Sequence, residues 1–551
     1  MTSLLPVRVG AAPPPPPSAP STRVRGARGL LSRHPFAAPA TVVLMIISAV
    51  ALMSVGFSSI LAFAPIAAVI ACVAVWLGLR HPLVALGYFL VALFFRLALP
   101  RILPIDLFLP AFAGLLLSVV IWLRAHPRRL PRIGAVEVAM LAYFFCNVYS
   151  AITPHEYGTE SYLSNSEQLD ITRLLLSCTV MPFMLYYIGR TVSDDRRRAE
   201  VVLWMVVGFA AFSSFVSIGQ FHFPSLVWPQ YIVTSPNWVG RANGVANQPV
   251  VNGIGLVVGF AVCMYLLSRR HASPVGRWIA GIVLVASAYS VFLTHTRIIY
   301  LALVLVLVVG AAIAKGYRSG FVLAAVLGAA LVIANWSTFT SSDRAKGGVG
   351  STNEVFDRLN TAATSIWAFE HKPLFGWGLG RFIPINTLHH QQWSTSTPWD
   401  RGLGIASHFN ELGILAELGL VGLLLWLGVL ATLAHRLVRA YRSPREGDEA
   451  FSRALTVSAA LALMVLITAG TSVDLRLFDF PSVLVMVLVG VAVGQSEGPP
   501  APGTSPPPAP GTGSTGGLDP EWLNAPDPEP DTTDRDADRI ADHDLSTEST
   551  R

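Results

Sequence analysis

Charge is scarce in this chain. Only 13% of its 551 residues are Asp, Glu, Lys or Arg, and 53% are hydrophobic. An ordinary soluble domain carries about 25% charged residues. The shortfall excludes a conventional water-soluble domain, and repeated apolar runs of about 20 residues point to membrane-crossing helices. The net charge of +6 is then an orientation signal to be read loop by loop, with no implication of nucleic-acid binding. Cysteine is scarce too. Cys72, Cys146, Cys178 and Cys263 all fall in apolar runs without metal-like spacing, so they read as small buried hydrophobes and are silent on redox compartment. Nucleotide and hydrolase signatures are missing: there is no P-loop, HExxH, GxSxG or CxxC. Few ionisable groups lie within the apolar runs, and Arg96, Glu137 and Arg173 all sit near run ends. A coupled transporter places such groups near the midplane, so their position favours chemistry at a surface over conduction.

What is present sorts into three regions. Residues 1–38 form a Pro- and Arg-rich leader, "AAPPPPPSAPSTRVRGARGLLSRHP", read as flexible and cytoplasmic with no cleavable signal peptide. Residues 39–495 form the polytopic domain. Residues 496–551 are Pro/Gly-rich and then acidic, with almost nothing apolar to bury, and read as a disordered cytoplasmic tail. The fold class is all-α, a membrane helix bundle of about 12–14 transmembrane helices. The expected spans are 39–58, 60–79, 81–99, 105–123, 134–152, 171–188, 200–219, 249–267, 277–294, 298–314, 320–336, 409–432, 452–471 and 480–495.

Loop charge fixes the expected orientation. "RAHPRRLPR" (124–132), "GRTVSDDRRR" (189–198), "SRRHASPVGR" (268–277), "AKGYRSG" (314–320) and "HRLVRAYRSPR" (435–445) alternate with loops nearly free of Lys and Arg. Basic loops stay cytoplasmic, which puts both termini inside. The long loop 337–407, the 220–248 loop and the turn at Thr296 then lie outside. The long loop holds Trp367, Trp377, Trp393 and the turn "PLFGWGLGRF", so it reads as ordered and packed on the membrane face.

Three outer elements hold the polar inventory. Arg297 opens a helix in "FLTHTRIIYLALVLVL". Arg358 lies near the start of an amphipathic segment running from Asn353 to Glu370. His408 stands at the mouth of "ASHFNELGILAELGLVGLLLWLGVLATL". Each has a bland alternative: a snorkelling arginine, a solvated helix face, a structural histidine. A helix beginning near Ser407 puts His408 in its first turn, where the macrodipole favours neutral imidazole, and puts Glu411 on the same face three residues on. Glu417, deeper in the run, reads as a packing or hydrogen-bonding residue.

The order of these elements resembles the O-antigen ligase and polymerase family. "MPFMLYYIGRTVSDDRR" and "GRANGVANQPVVNGIG" are also similar to it, and the resemblance extends over residues 130–490. It implies a glycosyltransferase that transfers a glycan from a polyprenyl diphosphate carrier to an acceptor hydroxyl outside the cytoplasmic membrane, without a cofactor. The donor would be the carrier-linked glycan. The acceptor would be glycan, lipid or protein, membrane lipids would surround the chain, and no nucleic acid would be involved. Two arginines and a histidine are essential in the family. They match Arg297, Arg358 (with Arg381 and Arg344 as rivals) and His408, and Arg241 is a further candidate contact. The family commonly has Asn directly after the histidine, whereas here Phe409 intervenes before Asn410. Arg381, Asn410 and Glu411 complete the substrate-binding set.

The chemistry suits those residue types. Guanidinium groups stay protonated and grip phosphate oxygens in bidentate fashion, and imidazole is neutral enough at physiological pH to take an acceptor proton. No metal-ligand spacing is visible, and the arginines take the place of a cation. A transporter or flippase of lipid-linked saccharides is the alternative from another class, and a peptidoglycan-type polymerase ranks last.

Overall fold

The computed structural model describes residues 76–98, 106–126, 133–160, 169–193, 195–269, 273–343, 347–350 and 352–498. The leader, the acidic tail, the expected span 39–58, nearly all of 60–79, and Arg344 lie outside the described residues. The chain divides into units Met1–Ala501 and Pro502–Arg551, and only the first contains described residues.

Helices account for the regular structure of the described residues. In chain order they are α1 (Pro82–Phe94), α2 (Phe108–Ala125), α3 (Ala135–Ile152), α4 (Ile171–Val192), α5 (Arg196–His222), α6 (Pro249–Ser268) and α7 (Pro274–Leu293). Then come α8 (Arg297–Ile313), α9 (Arg318–Ala334), α10 (Asn353–His371), α11 (Phe382–Leu388), α12 (Asn410–Arg442), α13 (Glu449–Gly470) and α14 (Asp479–Glu497). Among the described residues nine are long and apolar enough to cross a membrane, and α1, α8 and α9 are shorter apolar helices. Each of the twelve spans expected from 81 onward falls on one of these. The long loop holds α10 and α11.

The bundle is layered by burial. Helices α6 and α14 are enclosed over most of their length, and α2, α3 and α7 form the rim. On α7 the large side chains Trp278, Ile282, Val285, Tyr289 and Phe292 recur at helical spacing and point outward. The inward face of α7 is small and polar, with Ser287 Oγ 3.2 Å from Ser214 Oγ of α5. This inverts a soluble helix. Lipid supplies no hydrophobic drive between helices, so close packing and hydroxyl contacts hold them instead. Helices α14 and α4 show it best. A methyl on Gly490 or Gly494 would strike the carbonyls of Tyr186 and Arg190, so this small-xxx-small pair lets two backbones touch.

Ion pairs tie the helices at each end of the bundle. At one end Arg190 closing α4 meets Glu137 of α3 and Glu497 of α14, and Arg436 of α12 reaches Glu497 at 3.1 Å. Arg196 of α5 joins Asp448 at 2.7 Å, and Arg269 joins Glu200 at 2.9 Å. At the other end Arg96 and Arg173 meet Asp106 and Asp479, near the long loop.

Gly490→Val is expected to destabilise the bundle by about 1–3 kcal/mol, the usual range for overpacking. Gly255→Ala on α6, whose added methyl meets open space, should leave the melting midpoint of the purified protein unchanged or slightly raised. Equal midpoints for the two variants would contradict the close helix contact.

Candidate functional site at the long-loop end of the bundle

The turn from α7 to α8 is the anchor of the site. Thr294, His295 and Thr296 are buried, and His295 adopts a left-handed backbone conformation, φ 46°. That conformation is unfavourable for a non-glycine residue and persists only where surroundings impose it. Here the 240 loop imposes it. His295 Nδ1 donates to the Gly240 carbonyl at 2.6 Å, and Ala242 N donates to the Leu293 carbonyl at 2.8 Å. Gln220 of α5 in turn donates to the Arg241 carbonyl at 2.8 Å.

Arg241 is spent on this turn and on the long loop together. Its Nη2 donates to Thr296 Oγ1 at 2.8 Å, its Nε to the Thr294 carbonyl at 3.3 Å, and its Nη1 to Glu354 Oε1 at 3.0 Å. Glu354 lies in the first turn of α10, where a carboxylate complements the helix dipole. One helical turn on, Arg358 Nη2 stands 3.9 Å from the other Glu354 oxygen. Glu354 thus bridges two guanidinium groups. Arg297 follows Thr296 directly and is the first residue of α8. A cation at the positive end of a helix gains nothing from that helix, but an anion placed there gains from both.

His408 lies just outside α12, because the helix begins at Asn410 with Phe409 as its N-cap. This corrects the expected start near Ser407 and removes the first-turn relation to Glu411. Burial chiefly, and then the positive charge of Arg358, push the His408 imidazole down to about 4, with Glu354 acting in the opposite direction. The carboxylate facing His408 therefore comes from α10. The sequence does mark Glu354, as an acidic first-turn residue four before an arginine, but nothing in it indicates that α10 folds back to His408.

The other expected contacts go elsewhere. Asn410 Nδ2 donates to Glu411 Oε1 at 3.2 Å, and both residues sit beside Gly470 at the end of α13. Arg381 donates to the Tyr157 carbonyl at 2.8 Å and the Leu379 carbonyl at 2.9 Å, which makes it a brace between loops. Glu417 accepts from Arg476 Nη1 at 2.6 Å and from Phe382 N at 2.9 Å, and Asp474 accepts from the other side of the same guanidinium at 2.6 Å. This buried network sits at a break in α12. Gly419 has φ 64° and ψ −165°, and the chain from Pro373 to Gly378 lies against it. Trp377 N and Gly378 N donate to the Ala416 and Glu417 carbonyls at 3.1 and 2.8 Å. Leu420 N and Val421 N donate to the Pro373 and Leu374 carbonyls at 2.8 and 3.2 Å. Two carbonyls before the break and two amides after it are matched in this way, as a lipid-embedded helix demands.

A cleft of about 220 Å³ opens at the same end, lined by Leu93, Phe94, Val251 and Phe480 with Arg96 and Arg173. Its neighbour Asn252 donates to the Ala242 carbonyl at 3.2 Å, beside Arg241.

Residues 282–427 match the family model described as O-Antigen ligase. Over that segment the chain is O-antigen ligase-like. The match takes in Arg297, Glu354, Arg358, Arg381, His408, Asn410 and Glu411, stops short of Arg241, and is narrower than the 130–490 expected from the motifs. No curated protein matches the chain.

The His408 titration is open to direct measurement. In ¹³C-histidine NMR it should protonate near 4, well below an ordinary histidine of about 6.5. Arg358→Gln removes a positive charge and should raise that midpoint, whereas Glu354→Gln removes a negative one and should lower it. Because the folded value lies below the unfolded one, stability contributed by the neutral ring is lost as pH falls from about 6.5 toward 4. Identical midpoints in both variants would break the electrostatic link between α10 and His408.

Proposed function

We propose that the chain is a membrane glycosyltransferase of surface polysaccharide assembly. It would take a glycan from a polyprenyl diphosphate carrier at the outer face of the cytoplasmic membrane. The family match supports ligase- or polymerase-like glycosyl transfer at that coarse level. The finer reading rests on one observation: Arg241 and Arg358 converge on Glu354, against the turn that carries Arg297 and within electrostatic reach of His408.

In this reading the diphosphate takes the place of the Glu354 carboxylate among the guanidinium groups, and the isoprenoid chain enters the neighbouring apolar cleft. The acceptor hydroxyl attacks the anomeric carbon on the face opposite the phosphate. The new carbon–oxygen bond forms as the carbon–oxygen bond to phosphate breaks, which inverts the anomeric centre. The hydroxyl proton passes to neutral His408, and the polyprenyl diphosphate departs with its negative charge held by arginine, without a metal. A base poised near 4 is weak. Diphosphate binding offsets the Arg358 charge and returns electron density to the ring, so His408 becomes a better base only when the donor is present. The site then faces outward, with the basic loops and both termini inside.

Activity is tested in the source strain with the gene deleted. His408→Ala should lower transfer by about 10²–10⁴-fold, the scale of general-base loss, and leave carrier-linked glycan to accumulate. Arg297→Lys keeps the charge but loses the bidentate fork and should cost about 10²-fold. Near-normal surface polysaccharide with either variant would remove the catalytic reading. Orientation is tested separately by Glu370→Cys, an exposed position near the end of α10. An impermeant thiol reagent should label it in intact cells, and labelling only after lysis would invert the topology.

A further inference from the structure

The segment between α11 and His408 is not used by the chemistry above, yet it is among the most firmly held parts of the long loop. Asn360 of α10 is fully buried and binds the segment three times. Its Nδ2 donates to the Pro398 and Arg401 carbonyls, both at 2.8 Å, and its Oδ1 accepts from Trp393 N at 2.9 Å. His390 Nε2 donates to the Trp399 carbonyl at 2.8 Å, and Arg401 pairs with Asp357 at 2.7 Å. Irregular backbone that is this well bonded is fixed before any ligand arrives.

The fixed backbone presents two tryptophans to the outside. Trp393 is 50% exposed and Trp399 53%. Leaving two such surfaces uncovered at the ends of a rigid loop is costly unless something covers them in use. Their surroundings indicate what. From Phe382 to Trp399 there is no Asp, Glu, Lys or Arg; an exposed Asp400 follows, Arg401 is held by Asp357, and Gln391, Gln392, Ser394 and Ser396 neighbour the tryptophans in sequence. An aromatic face with amide and hydroxyl groups at its edge complements a pyranose ring, which has an apolar C–H face and a rim of hydroxyls. A partner of that kind needs rigid aromatic area and adaptable hydrogen bonds. Anionic lipid headgroups would call for a cluster of Lys and Arg, whereas the one cation of residues 391–401, Arg401, is paired with Asp357, and Asp400 adds a negative charge.

We infer that residues 391–401 form a saccharide-binding platform for neutral sugar units of the glycan that the site elongates or transfers, with Trp393 and Trp399 as its stacking surfaces. The inference rests on the glycosyl-transfer reading and extends it to the substrate. Asn360 and Asp357 lie on the same helix as Glu354 and Arg358, so the platform and the cationic site share one rigid support.

The test uses full-length protein in nanodiscs against an array of neutral oligosaccharides of glucose, mannose, galactose and N-acetylglucosamine. Wild-type protein should bind at least one of them. Trp393→Ala and Trp399→Ala should each weaken that binding by about tenfold, and Trp393→Tyr should restore most of it. Trp393→Ala should leave the melting midpoint unchanged, whereas Trp399→Ala also removes the ring contact with His390 and is read against Trp393→Ala. His408→Ala should bind as wild type does, which separates the platform from the chemistry. Absence of binding to every neutral glycan, or equal binding by the alanine variants, overturns the platform. So does quenching of these two tryptophans by brominated lipid, which would make them membrane anchors. The donor reading would survive any of these results, because it is tested separately by transfer in the His408 and Arg297 variants, either of which overturns it by retaining activity.

Discussion

A lipid-embedded helix is not free to break, and α12 breaks. The interruption at Gly419 is tolerated because the Pro373–Gly378 strand of chain lies in the gap and exchanges backbone bonds with both halves. The exchange also works in the other direction, since the interrupted helix is what fastens the long loop to the bundle. Arg476, held between Glu417 and Asp474, locks the joint from the side. Burial works against its charge, and the two carboxylates outweigh that penalty. The position of α10, and with it Glu354 and Arg358, follows from this fastening.

From there the electrostatics of the long-loop end follow. Two guanidinium groups share one carboxylate, and a half-buried imidazole beside them is held neutral by burial and by the nearer cation. Each group sets the state of the next. Such an arrangement is built by segments distant in sequence: the 240 loop joins the buried Thr294–Thr296 turn to α10, and the charges of α10 reach His408 before α12.

Much of the architecture was legible in the sequence, because apolar runs separated by charge-sorted loops leave few alternatives once lipid is the solvent. The helices from Pro82 onward fall where the runs predict. The site was legible only in part. Arg297, Arg358 and His408 stood out by position in the motifs, whereas Glu354 was marked only as a first-turn acid, since its bridging role depends on where α10 docks. Glu411 was expected to face His408 on helical spacing, and the late start of α12 at Asn410 undoes that geometry. Arg381 was a candidate substrate contact as a rival match to the family's loop arginine, and its Nε and Nη1 donate to backbone carbonyls, which no sequence pattern announces. The left-handed His295 was equally hidden, because surrounding bonds and not residue type enforce it.

The Glu354 bridge has one more effect. A cationic cluster that already holds its own counter-ion resists capture by stray anions, since each newcomer must first displace a tethered competitor at high local concentration. Under the proposed function, such a tether would favour exchange over tight retention, which suits release of a charged leaving group.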